Sequence, residues 1–149
     1  MTHNNSKLTA KIALYQPDIP QNTASIIRTC SCLGVKLEII EPCGFTFYDK
    51  RFRRVVMDYL DESMIKIYEN PDQFFKAKKN SRIVLMTTKA KDSFKSFKIK
   101  KNDTFLFGRE SSGVPKNIHH KVDKRIKIPI LKKKRSLNLS TTVSMVLSK

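Results

Sequence analysis

The 149-residue chain predicts an α/β fold, a three-layer domain on a parallel sheet, from three observations. Short apolar runs typical of buried strands alternate with stretches whose apolar residues recur at helical spacing. The first strand–helix–strand passage, residues 11–40, links its strands through about four helical turns, the kind of crossover that parallel pairing needs. Apolar residues make up 40% of the chain, enough to form a core and too many for a disordered segment. At this length one domain, residues 1–149, is the expectation, with a polar and flexible stretch over residues 1–10.

Taken in order, Lys11–Tyr15 is the first strand. Residues 16–20 hold two prolines, which forbid regular pairing and make a turn. Residues 21–33 form a helix with Ile26, Ile27, Cys30 and Leu33 on one face, Asn22 and Thr23 as candidate caps, and Gly34 as its stop. Arg28 lies off that apolar stripe. Residues 35–40 are the second strand, 49–56 a short basic helix, and 64–68 the third strand. Asn70 caps a helix over Pro71–Ala77 that carries proline at its first position. Residues 82–87 are a fourth strand, and 90–103 a basic loop with room for one short element.

The richest stretch runs from Phe105 to Ser140. Phe105, Leu106 and Phe107 make a buried strand that ends at Gly108. Gly113 allows a positive φ before Pro115, which suits the first turn of a short helix. Residues 126–130 are a sixth strand, which must stop at Pro129 or turn its edge outward. Asn138 or Ser140 then caps a last helix carrying Val143, Met145, Val146 and Leu147. Two strands thus feed loops rich in backbone donors and small polar side chains, at the rim where open α/β sheets bind ligands. Gly108 and Gly113 fit neither the dinucleotide nor the Walker spacing.

The formal charge of +17 is unevenly spread. Residues 1–70 hold 9 Lys/Arg against 8 Asp/Glu, whereas residues 71–149 hold 21 against 5. That asymmetry points to a polyanionic partner, nucleic acid above all, met by the second half. Cys30, Cys32 and Cys43 are an odd set without a secretory signal, which argues against a disulfide framework. No fourth thiol or matching histidine completes a zinc set, so no metal is expected and the cysteines read as buried small apolar residues. His119 and His120 read as surface residues. No apolar run approaches the roughly 20 residues of a membrane span and no signal peptide is visible, so the expected compartment is the cytoplasm.

Three stretches together carry a family resemblance. The first runs from Leu14 to Thr23 and through Ile26, Ile27 and Arg28, followed by Ile40 to Phe45 and by Asp49, Lys50 and Arg51. The second is Leu106 to Glu110 with Gly113, Val114 and Pro115. The third is Ile126 to Pro129 with Arg135, Ser136, Asn138, Leu139 and Ser140. In this order and spacing the chain resembles the SPOUT-class RNA methyltransferases, within them the small single-domain branch that 2′-O-methylates cytidine or uridine at the tRNA wobble position. The resemblance implies a deep C-terminal trefoil knot, an exception to the rule that connections do not thread loops. It also implies S-adenosylmethionine as methyl donor, no metal, a homodimer and a tRNA anticodon loop as partner.

Carried over position by position, the resemblance places the donor between loops 85–88, 107–113 and 126–140, with Met86, Gly108, Ile128, Ser136 and Asn138 as its contacts. It assigns Arg28 to the ribose hydroxyl, with Asn22 holding the geometry. A guanidinium, whose pKa exceeds about 12, acts there as an electrostatic stabiliser of a developing alkoxide more readily than as a base. Glu110 pairs with Arg28 or substrate, or else caps the short helix at Pro115. Lys50, Arg51, Arg53 and Arg54, and Lys132 and Arg135, are the candidate phosphate contacts. Two departures stand out: Ala24 and Ser25 replace the family's Gly-Asn, and Ser148 stands where the family's longer final helix carries a tyrosine. A shortened last helix, and with it a catalytically impaired knotted RNA-binding protein, is the alternative expectation. A 2′-O-methyltransferase for another RNA, such as ribosomal RNA, is a further one.

Overall fold

A computed structural model describes residues 10–46, 50–56, 62–130 and 137–149, apart from the side chains of Arg51, Val55 and Glu62. Strands and helices follow in the order β1 (Lys11–Tyr15), α1 (Pro20–Leu33), β2 (Leu37–Ile40), α2 (Lys50–Val56), β3 (Ile65–Tyr68), α3 (Pro71–Ala77), β4 (Ile83–Met86), β5 (Asp92–Ser93), β6 (Thr104–Phe107), α4 (Lys116–Lys121), β7 (Lys124–Lys127) and α5 (Leu139–Leu147), alternating except from β4 to β6. The seven strands form one sheet in the order β3-β2-β1-β6-β4-β7-β5. Each pairing is parallel. The chain works outward from β1 through β2 to β3, then crosses back to build the other half. β6 is inserted between β1 and β4. That reversal is the switch point at which the strand ends leave a crevice.

Strand alternation divides the core into two faces. Ile12, Leu14, Leu37, Ile39, Phe105 and Phe107 pack with Ile26 and Ile27 of α1, Phe52 of α2, and Val143 and Val146 of α5. Ala13, Tyr15, Ile40, Leu85 and Leu106 pack on the other side with Phe74 of α3 and Ile118 and Val122 around α4. This is the three-layer arrangement that the alternation predicts.

Several boundaries differ from the expectation for local reasons. α1 starts at Pro20, whose missing N–H costs nothing at a first helical position. Asn22 and Thr23 therefore sit inside the first turn rather than capping it; Ile19 is the cap residue, with no side-chain hydrogen bond. Gly34 takes a left-handed φ of 67° and Val35 N–H closes on Cys30 O at 2.9 Å, so Val35 belongs to the helix exit and β2 begins at Leu37. Asn70 and Asn138 cap as expected, accepting from Gln73 N at 2.9 Å and Thr141 N at 3.3 Å. The 90–103 stretch holds the two-residue β5 and a 3₁₀ turn over Phe94–Ser96. β7 runs earlier than expected, over Lys124–Lys127, because its ladder to β4 pairs Val84 with Lys124 and Met86 with Ile126. It stops short of Pro129, which has no N–H to donate. Met145 is 41% exposed, off the apolar face of α5. Cys30 is buried but Cys32 is exposed, on the outer side of α1.

The path from β7 at one side of the sheet to α5 packed on α1 at the other runs through residues 131–136, outside the described residues. The threading expected of the knot would lie there. The N-terminal stretch expected to be flexible is likewise outside, except Ala10, which is buried.

Candidate active site

The crevice at the carboxyl ends of β4, β6 and β7 is a cavity of about 630 Å³. Its walls are Met86 to Lys89 after β4, Gly108 to Gly113 after β6, Ile128 and Ile130 after β7, Leu137 to Leu139 entering α5, and Ile19 and Asn22 at the start of α1. Of the predicted site residues, Met86, Gly108, Ile128 and Asn138 therefore meet at one cavity, joined by Asn22 and Glu110. Ser136, Lys132 and Arg135 lie outside the described residues. Arg28 is exposed on α1 and is not among the residues lining the cavity. Lys50 and Arg54 are exposed on α2, with Arg53 half-buried, also away from the cavity.

The loop after β6 is shaped by its glycines. Arg109 and Gly113 exchange backbone hydrogen bonds at 3.2 and 2.8 Å, closing a tight turn. Gly113 has φ +68°, where a side chain is strained. A Cβ on Gly108 would come within 2.7 Å of the Gly113 backbone. The space that glycine leaves at 108 is thus filled by the returning loop, not kept open for a ligand.

Glu110 does not cap α4, whose cap residue is Pro115 without a side-chain bond. Its carboxylate instead reaches across to the entrance of α1. Oε1 accepts from Asp18 N at 3.1 Å, and Oε2 accepts from Ile19 N at 3.0 Å and from Asn22 Nδ2 at 3.3 Å. Negative charge at a helix start is favourable, and these donors have no partner inside the helix. Asn22 Oδ1 accepts in turn from Asn138 Nδ2 at 3.1 Å. Ser140 Oγ donates to Ser25 Oγ at 2.8 Å. The loop after β6, the start of α1 and the start of α5 are therefore one hydrogen-bonded unit.

Sequence reasoning missed Asp18 and His119. Asp18 Oδ2 is hydrogen-bonded by Ser111 Oγ and lies 3.6 Å from Arg109 Nε. Burial pushes its carboxyl up, but the hydrogen bonds around it, led by that of Ser111, and the Arg109 charge outweigh burial and leave it below its ordinary value. Only its place in the Leu14–Thr23 stretch hinted at a role. His119 is half-buried and lines the cavity, whereas His120 is exposed; burial and the neighbouring charges of Arg125, His120 and Lys89 lower the His119 pKa. Cys30 and Cys43 are both pushed up to about 12, chiefly by burial, so neither is a thiolate near neutral pH. Among the described residues, no group of three His, Cys, Asp or Glu side chains is placed to hold a metal ion, and no helix is long and apolar enough to cross a membrane.

A parallel sheet with a ligand-sized cavity over its reversal point, walled by the loops after β4, β6 and β7 and tied to the first helix, defines an α/β ligand-binding site. Residues 9–148 match the SpoU rRNA Methylase family, and the chain belongs to it. It is 44% identical over 138 residues, 91% of this chain and 86% of the relative, to a tRNA (cytidine(34)-2′-O)-methyltransferase of Beijerinckia indica. It is 37% identical over 137 residues to the Escherichia coli protein of the same name, covering 91% of this chain and 87% of that one. A solved structure concerned with 2-OH methylation of C/U34 on tRNA superposes with a TM-score of 0.86 at 29% identity, over 93% of this chain and 91% of that one.

Proposed function

We propose that the protein is a tRNA 2′-O-methyltransferase that transfers a methyl group from S-adenosylmethionine to the ribose 2′-OH of cytidine or uridine at position 34. The observation that carries this is the meeting of Met86, Gly108, Ile128, Asn138, Asn22 and Glu110 at one cavity, in a chain 44% identical to a relative of that name.

The cavity fits such a donor. Its volume lies in the range of small-molecule sites. Leu85, Met86, Phe107, Ile128 and Leu139 provide apolar wall for a purine, and Thr87, Thr88 and Asn138 provide polar atoms. Met86, Gly108, Ile128, Ser136 and Asn138 are the proposed contacts. When bound, the donor supplies a methyl group already activated on a cationic sulfur. The protein's own work is then positioning, which reaches roughly 7–11 kcal/mol in well-oriented cases, and electrostatics. Glu110 holds Asn22, and Asn22 holds Asn138, so the cavity wall and α1 keep one geometry. Arg28 lies three residues beyond Ser25 on the same flank of α1, beside the α5 contact. From there its guanidinium stabilises the charge that develops on the 2′-oxygen.

RNA phosphates are held by Lys50, Arg51, Arg53 and Arg54 and by Lys132 and Arg135, with the anticodon loop splaying out the target base. Ile19 and Leu137 at the cavity and Met145 on α5 are large exposed apolar side chains, which supports a homodimer covering them. The setting is the cytoplasm, where the substrate RNA is found. Ribose-methylation mapping of tRNA from cells lacking the gene tests the assignment. Loss of the modification at position 34 alone is the expected result, and an unchanged map overturns it.

A further inference from the structure

A second cavity, about 310 Å³, opens at the amino-terminal ends of β1, β2 and β3, the end of the sheet opposite the first, where α3 exits. Lys11, Lys36, Lys66 and Lys78 all line it. The strand registers explain how they gather. Ile12 stands opposite Leu37, which sets Lys11 beside Lys36 one step earlier, and Glu38 stands opposite Lys66. Alternation sends these side chains to the face that carries Ala13, Ile40 and Tyr68, beneath α3.

The only carboxylate among the described residues lining the cavity is already committed. Lys78 Nζ lies 2.5 Å from Glu38 Oε2 with both side chains buried, and Tyr68 Oη donates to Glu38 Oε1 at 2.7 Å. Burial, opposed by Glu38 and reinforced by the adjacent Lys11, lowers the Lys78 pKa. Among the described residues, Lys11 and Lys36 thus remain without a carboxylate of their own on this wall, and Lys66 shares Glu38 with the buried Lys78. Like charges side by side on neighbouring strands are destabilising, and a buried ammonium nearby adds to the cost. A bound anion removes that conflict.

We propose that this cavity binds a phosphate-type oxyanion, held by Lys11, Lys36 and Lys66 against the buried Lys78–Glu38 pair. Lysine contacts phosphate as a mobile point charge, which suits three ammonium groups on flexible stems. The anion is either the phosphodiester of an RNA lying over this edge of the sheet or free phosphate. The site lies at the far end of the strands from the first cavity and does not depend on the activity assigned there.

Thermal unfolding at constant ionic strength, with inorganic phosphate replacing chloride, tests the site. Binding to the folded state alone requires a Tm that rises with phosphate concentration. The full-length protein is expected to show that rise, and the Lys11→Gln/Lys36→Gln double variant to lose it. A Lys98→Gln/Lys101→Gln control, which removes the same charge from exposed positions, is expected to keep it. The pocket variant is expected to fold, with a Tm in phosphate-free buffer no lower than that of the unmodified protein, because the change relieves repulsion. Binding of tRNA over a salt series separates the two sources. A salt slope reduced by about one per lost phosphate contact, in the pocket variant and not in the control, assigns the site to RNA. An unchanged slope, with the phosphate-dependent rise in Tm lost in the pocket variant and kept in the control, assigns it to free phosphate. Equal behaviour of the two double variants in both measurements overturns the proposal.

Discussion

Glu110 and Asn22 are 88 residues apart in sequence, yet Asn22 Nδ2 donates to Glu110 Oε2 at 3.3 Å at the edge of the cavity. The contact exists because β6 is inserted beside β1, so the loop after one strand overhangs the helix that follows the other. It makes Glu110 a positioning residue for α1 and Asn22.

Glu110→Ala is expected to destabilise the fold by about 1–3 kcal/mol, because two backbone N–H groups and an amide lose a charged acceptor. Glu110→Gln keeps one acceptor oxygen and should lose less. Denaturant unfolding checks the order, and methyl transfer should fall in the same order as Asn22 loosens. A Glu110→Gln variant as unstable as Glu110→Ala would show that the negative charge, not the acceptor geometry, matters.

The two glycines of the same loop are expected to respond differently to alanine. At Gly108 the new Cβ would sit 2.7 Å from backbone, which cannot swing aside; overpacking of this kind costs about 1–3 kcal/mol. At Gly113 there is open space but a φ of +68°, worth about 1–2 kcal/mol of backbone strain. Gly108→Ala should therefore weaken donor binding more, as read by calorimetry.

Arg28→Ala is expected to lower methyl transfer about 100- to 1000-fold, the usual cost of removing one group that stabilises transition-state charge. Donor binding should be unchanged, since Arg28 does not line the cavity. Loss of both would make Arg28 a structural residue.

The Asp18 latch carries a pH dependence. Its carboxyl sits below the ordinary value of 3.8 in the folded protein, so it adds stability above that pH and loses it as pH falls through the folded pKa. Ser111→Ala removes the leading hydrogen bond. Its Tm deficit relative to the unmodified protein is expected at neutral pH and should shrink on acidification below about pH 4. A deficit that does not change with pH would mean that Ser111 acts through packing alone.

Much of the fold is legible from local chemistry. Gly34, Asn70 and Asn138 mark helix ends because each acts through its own backbone or its nearest N–H groups. The apolar runs mark strands because alternation and burial act over a few residues, and the strand–helix–strand spacing dictates parallel pairing. The resemblance of three stretches was enough to name Met86, Gly108, Ile128, Asn138, Asn22 and Glu110, which share one cavity. What each does there was not legible. Gly108 faces Gly113, and Glu110 faces α1 instead of α4, because those neighbours are set by strand order.

The sequence by itself determined the order of elements, the Asn70 cap, the Gly34 helix stop and the basic second half, since these depend on residues close together in the chain. Only the tertiary structure decided that β6 lies between β1 and β4, that Asp18 is clasped by Ser111, and that Lys11 stands beside Lys36. Those are consequences of sheet order and register, which follow from how two apolar faces are best covered across the whole molecule and leave no mark in any short stretch of chain.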